Sequence, residues 1–258
     1  MITLASDFGS PYPAAMKGVI LSRTDTTLVD VAHDLPRQDV RQAAFWLREV
    51  LPYFPPAVHL VVVDPGVGTE RDVLLARAGN HALVAPDNGV IVPVAEALDE
   101  EPTYYRTAPQ DPASSTFHGR DVFAPLAAEV HVDGLDVVVA RRDLEPASSV
   151  ARIEFPEPEV DESDASGEVL VVDDFGNVVT NVPGEFLASH FGSSVGVDGV
   201  PVPARRTYAT VDPGEPLVTV GSHGNVELAL NQGRGDSHFG LAPGDSVRFE
   251  YLDCGHRR

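Results

Sequence analysis

The run Leu60-Val61-Val62-Val63 ends on Asp64 and passes at once into Pro65-Gly66-Val67-Gly68, with Arg71 one short loop further on. Four apolar residues without polar alternation predict a strand buried on both faces, the kind found in parallel sheets. Such a strand needs a layer on each side of its sheet. Asp64 falls at its carboxyl end, where open α/β sheets place their ligands. Gly66 and Gly68 allow a close backbone approach or a positive φ. The competing reading is that Asp64 caps its own loop and Arg71 is a surface charge.

The same order of strand, acid and glycine turn recurs along the first half. A strand over 1–5 leads to Ser6-Asp7-Phe8-Gly9, and a strand over 82–85 leads to Pro86-Asp87-Asn88-Gly89. Further strands are expected over 27–32, 58–63, 73–76 and 103–106, and helices over 12–22, 40–51, 90–98 and 122–130. Pro13 suits the first turn of the first helix, and Asp39 suits the cap of the second. Strands alternating with helices imply an α/β domain with a mainly parallel sheet. Asp7, Asp64 and Asp87 would then converge in one crevice, although each alone also reads as an ordinary loop cap.

Composition changes over 156–165, where prolines and acids mark an exposed linker between a first domain, 1–155, and a second, 166–258. The second domain reads as short strands over 167–172, 178–179, 194–197, 206–211, 217–220, 226–229 and 246–251. Turn residues separate them, which implies a smaller β-rich barrel or sandwich.

Charge narrows the partners. The chain has 39 acids against 18 basic residues, a formal net charge of −21, and Lys17 is its one lysine. Nucleic acid and anionic membrane would be repelled, and no apolar run reaches the length of a membrane span. Acid in place of lysine throughout a globular chain fits a halophilic source, where salt screens self-repulsion. The single Cys254 leaves no intramolecular disulfide. With no basic-then-apolar leader before Ile2-Thr3-Leu4, a cytoplasmic location is expected.

His118, in Phe117-His118-Gly119-Arg120-Asp121, is either a general base, an orienting donor or a helix-start residue. No pair of histidines has ligand spacing, so no metal is expected. Gly66-Val67-Gly68 lacks the third glycine of a dinucleotide fingerprint. The tripeptide Arg234-Gly235-Asp236 carries no weight as an adhesion signal. In the second half, Asp173 to Asn177, Thr180-Asn181, Gly221 to Gly224 and Asn231 to Gly233 gather polar side chains at strand ends. Such clusters suit a polar small molecule or ordinary hairpin loops.

In order, Ser6-Asp7-Phe8-Gly9, Met16-Lys17-Gly18, Val29-Asp30-Val31-Ala32-His33, Asp64-Pro65-Gly66-Val67-Gly68 and Pro86-Asp87-Asn88-Gly89 form one pattern. Phe117-His118-Gly119-Arg120-Asp121, Asp173-Asp174-Phe175-Gly176-Asn177 with Thr180-Asn181, and Asn231-Gln232-Gly233 continue it. The chain resembles the S-adenosyl-L-methionine (SAM) hydroxide adenosyltransferases, hydrolase relatives of the adenosyl fluorinase and chlorinase. That resemblance implies a homotrimer with sites between the N-terminal domain of one subunit and the C-terminal domain of the next. It implies hydrolysis of SAM to adenosine and L-methionine without a cofactor. The family's catalytic acid, arginine and histidine fall on Asp64, Arg71 and His118. Ribose binding falls on Asp7, methionine binding on Asp173 and Ser222, and adenine contacts on Asn177 and the backbone from Asn231 to Gly233. Three positions depart from the pattern: the loop after Asp7 is short, Gln38 replaces an aromatic residue, and His223 stands where the halogenases carry an arginine. A halide-dependent adenosyltransferase and a non-catalytic SAM or adenosine sensor are the alternatives.

Overall fold

A computed structural model describes residues 1–109 and 112–252 of the chain. Cys254 lies outside the described residues. The chain divides into two compact units, Met1–Ile153 and Glu154–Arg258.

The first unit contains β1 (Ile2–Ser6), α1 (Tyr12–Leu21), β2 (Leu28–Ala32), α2 (Val40–Val50) and β3 (Val58–Val62). It continues with β4 (Val73–Ala78), β5 (His81–Pro86), α3 (Val92–Leu98), β6 (Thr103–Thr107), α4 (Ala124–Asp133) and α5 (Leu135–Arg141). Its six-stranded sheet runs β2-β1-β3-β5-β4-β6. β2, β1, β3 and β5 are parallel, whereas β4 pairs antiparallel with both β5 and β6. β3 shows why its sequence lacks alternation. Val58, Leu60 and Val62 enter the core on one face, beneath α1 and α4, and Val61 and Val63 enter the core on the other, beneath α2 and α3. Period-2 side-chain direction and two covered faces make every position from Leu60 to Val63 apolar.

Capping follows the expected chemistry in α2, where Asp39 Oδ1 accepts the Gln42 N–H at 2.9 Å. α4 begins after a π-helical turn, Gly119–Phe123, that the apolar pattern did not announce. α5 was also hidden: Gly134, at φ +86°, ends α4, and a new helix of seven residues starts directly after it.

The second unit contains β7 (Glu159–Val160), β8 (Asp164–Val172), β9 (Val178–Pro183), β10 (Ser194–Val197) and β11 (Val200–Pro203). β12 (Pro216–Val220), β13 (Asn225–Leu230), the short helix α6 (Gly235–Phe239) and β14 (Ser246–Tyr251) complete it. The order β11-β10-β14-β8-β9-β13-β12 is antiparallel throughout, and an Ala204–Val218 bridge brings its two ends together into a nearly closed barrel. Val169, Val178, Val197, Leu228 and Phe249 fill its interior.

Two expectations fail here for physical reasons. Residues 206–211 are no strand but an exposed 3₁₀ turn at Tyr208–Thr210. The Arg205 N–H already bonds the Val218 carbonyl, and β13 covers the other edge of β12, so the segment has no free edge to join. Part of the stretch 156–165 is paired, since β7 sits against Ser166 and Ala165 of β8. No helix among the described residues is long and apolar enough to cross a membrane.

Candidate functional site

In the first unit, β1 and β3 deliver Asp7 and Asp64 to the carboxyl end of the sheet, and the turn before α4 delivers His118. These residues line one crevice of about 430 Å³ together with Phe8, Tyr12, Gln38 and Phe117. That volume suits a ligand of nucleoside size.

The loop after β3 is built around an ion pair. Arg71 Nη1 lies 2.7 Å from Asp64 Oδ1, with the two side chains 20% and 7% exposed. The Gly66 N–H donates to the same carboxylate oxygen at 3.1 Å. A Cβ at position 66 would stand where the guanidinium of Arg71 lies, so any side chain there would displace it from Asp64. Gly68, at φ +83°, passes close to the Ser115 carbonyl and is equally constrained. Burial pushes the Asp64 carboxyl above its ordinary range. Arg71, the Gly66 N–H and His118 pull the other way, while Asp7 adds to the rise. On balance burial outweighs the partners that favour the charged form.

His118 is buried at the start of the π-helical turn. The Gly119 backbone beside it packs against Met16 Sδ and the rings of Phe117 and Phe8. Asp7 is also buried, and its Oδ2 accepts the Gln38 N–H at 2.7 Å. Phe8, Tyr12 and Phe117 meet edge to face, with centroids 5.3 to 6.4 Å apart. No role for this aromatic wall emerged from sequence; its one trace was the placement of Phe8 and Phe117 beside the polar motif residues. Arg120, also on the crevice, is tied by two hydrogen bonds to Asp121.

Asp87 does not join the other two acids. It ends β5, but its carboxylate accepts the Ala151 N–H at 3.1 Å and faces Arg106 Nε at 3.6 Å, anchoring the chain after α5. This acid neither lines the crevice nor caps its own turn; it ties distant segments together.

In the second unit, Asp173 and Asn177 close a tight loop. The Asn177 N–H and Nδ2 donate to the two Asp173 carboxylate oxygens at 2.8 and 2.9 Å. Phe175, at the tip, is 79% exposed. Tyr208 Oη donates to buried Glu227 at 2.6 Å, and burial followed by that hydrogen bond pushes its phenol up. His223 lies 3.6 Å from the other Glu227 oxygen, beside exposed Ser222. Asn231 uses its N–H, carbonyl and side-chain amide on Glu215, Gly214 and Val211, and the Gly233 N–H bonds Leu230, so these groups already serve the turn. Among the described residues, no three His, Cys, Asp or Glu side chains gather as a metal site.

A mainly parallel sheet with an acid, an arginine and a histidine at its carboxyl end, joined in sequence to a small antiparallel barrel, defines a two-domain α/β-plus-barrel protein with a polar small-molecule crevice. More narrowly, the chain belongs to the SAM hydroxide adenosyltransferase family: residues 2–137 match its N-terminal domain and 167–248 its C-terminal domain. An (R)-S-adenosyl-L-methionine hydrolase from Thermus thermophilus is 41% identical over 262 residues, covering 94% of this chain and 96% of its own. One from Salinispora tropica is 39% identical over 254 residues, covering 96% of both. A fluorinase from Actinopolyspora mzabensis is more distant, at 27% identity over 292 residues and 96% of both chains. The crystal structure of an uncharacterized conserved protein from Thermotoga maritima superposes with a TM-score of 0.83 at 31% identity, covering 97% of this chain and all of that one.

Proposed function

We propose that this protein hydrolyses SAM to adenosine and L-methionine by in-line attack of water on the ribose C5′. The observation that carries the reading is the half-buried Asp64–Arg71 ion pair, whose Asp64 lines a crevice together with His118. The C5′–S bond breaks with its electron pair going to sulfur, so a cationic sulfonium leaves as the neutral thioether of methionine. No acid is needed at the leaving group and no cofactor is required. The demand falls on the nucleophile. Arg71 favours hydroxide character in the bound water, while Asp64 and His118 orient it and take its proton. The upward push on Asp64 suits a carboxylate that must accept one.

Asp7 is assigned to the ribose hydroxyls. Asp173 and Ser222 are assigned to the methionine part, and Asn177 with the backbone from Asn231 to Gly233 to adenine. A homotrimer with sites shared between subunits is part of the same proposal, supported by the family and by the large exposed aromatic Phe175 within a site motif. Light scattering should then report three copies of the 27.5-kDa chain. A salt-adapted cytoplasmic protein fits the charge of −21, and its melting temperature should rise with potassium chloride.

The test is incubation with SAM in high salt, with chloride or fluoride exchanged for an inert anion. Adenosine and methionine formed regardless of halide, and lost in Arg71→Ala and His118→Ala, are expected. A 5′-halo-adenosine would place the chain with the halogenases, and binding without turnover would make it a sensor. A buried carboxylate at the water position repels a halide, which favours hydrolysis.

A further inference from the structure

Behind Asp7 lies a row of polar side chains that the proposed chemistry does not use. Lys17 Nζ, from the chain's one lysine, donates to Asp30 Oδ2 at 2.6 Å. Asp30 Oδ1 is 3.0 Å from His33 Nε2, and His33 Nδ1 is 2.7 Å from Ser6 Oγ. The carboxylate holds the Nε2–H, which donates to Asp30, and so turns Nδ1 toward the Ser6 hydroxyl. Serine, histidine and acid in a row suggest a hydrolytic nucleophile. Ser6 is wholly buried, however, and no acyl group can reach it.

What Ser6 does reach is the backbone of the crevice. Its neighbour is Asp7, and the loop from His33 to Gln38 is laced to the loop from Ser6 to Gly9. The Leu35 N–H donates to the Ser6 carbonyl at 3.3 Å, and the Gly9 N–H to the His33 carbonyl at 2.8 Å. At the end of the same loop, Gln38 holds φ +60°, a conformation unfavourable for a residue with a side chain, and aims its N–H at Asp7 Oδ2. The imidazole adds a second side-chain tie between these two loops, through the Ser6 hydroxyl, beside the one that Asp7 makes to Gln38.

We propose that His33 is a positioning residue for Asp7. By holding Ser6 it fixes the loop whose Gln38 N–H occupies one Asp7 oxygen, leaving the other carboxylate oxygen set for a ribose hydroxyl. The inference rests on the reading of the crevice as the nucleoside site.

The side-chain oxygen of asparagine stands near the Nδ1 position, and glutamine reaches the Nε2 position, which separates the two contacts. His33→Ala should raise the KM for SAM about tenfold while kcat stays within about twofold, the scale of one lost hydrogen bond. His33→Asn, which keeps Ser6 and drops Asp30, should return KM to within roughly threefold of wild type, and His33→Gln should not. Adenosine affinity by calorimetry should follow the same order. In an Asp7→Ala background, His33→Ala should add nothing. An unchanged KM, equal defects in the Asn and Gln variants, or full additivity with Asp7→Ala would overturn the proposal. If His33→Ala fails to fold, the Asn and Gln pair still decides. Adenosine binding without turnover in the wild type defeats only the hydrolase reading, and the calorimetric series then judges His33. A wild type that binds neither SAM nor adenosine overturns both.

Discussion

The two ends of the parallel sheet bury ionisable groups in opposite ways. At the carboxyl end, Asp64 is paired with Arg71, accepts the Gly66 N–H and feels His118. Toward the amino end, β1 and β3 place Thr3 beside His59, and β5 begins at His81. Thr3 Oγ1 lies 2.7 Å from His59 Nδ1, and His59 Nε2 lies 2.9 Å from His81 Nδ1. Burial, with His81 adding to it, pushes His59 down to about 4, and burial also lowers His81. Charge is therefore kept where an opposite charge is built in, and given up where it is not. The first arrangement suits chemistry, the second a stable foundation.

Removing the counter-charge should make the carboxyl end behave like the amino end. Arg71→Ala is expected to lower kcat/KM by about 10²- to 10³-fold. It should also move the acid limb of the pH–rate profile upward, because burial of Asp64 then goes less opposed. In the wild type burial already pushes the Asp64 carboxyl above the ordinary aspartate value of 3.8, and the limb is expected above that value. Raised in the folded state, the Asp64 carboxyl favours folding below its unfolded value, and that contribution disappears as pH rises through the folded one.

His59 carries the opposite sign. Its folded value lies below the unfolded one, so stability present above pH 6.5 is lost as pH falls toward about 4. The loss is on the order of 3 kcal/mol, readable by urea unfolding across that window and flattened in His59→Gln. Thr3→Val would leave Nδ1 of this buried ring without its hydroxyl, costing roughly 1–3 kcal/mol at neutral pH. Lys17→Met, by contrast, removes a part-exposed ion pair and should change unfolding free energy by under about 1 kcal/mol in the same assay.

β3 was legible in sequence because both its faces are covered and no polar residue had to alternate. His59 carried a signal that went unread: an imidazole inside a wholly buried strand needs partners on the neighbouring strands, here Thr3 and His81. Asp7 and Asp64 were readable as crevice residues from their strand-end positions, whereas the helix-start position of His118 left its role open and only the family resemblance assigned it. Asp87 shares that grammar but was claimed by Ala151 and Arg106, contacts more than fifteen residues away that no local pattern encodes. β11 escaped notice because Pro201 and Pro203 argue against a strand, yet they alternate, leaving Val200 and Val202 to carry the N–H groups. The aromatic wall and the His33 row are both products of two loops meeting, which is tertiary information.

The barrel of the second unit has one weak join, where β11 approaches β12 through a bridge and the Arg205 N–H. A ring with a seam opens at the seam, and an opened ring offers a ribbon edge to any passing chain. At β11 that edge carries two prolines in four residues. Half of its donors are missing by covalent structure, so a stranger cannot zip onto it as onto an ordinary strand. On the β11 side, the place where this barrel is easiest to unfasten is also a poor template for another strand.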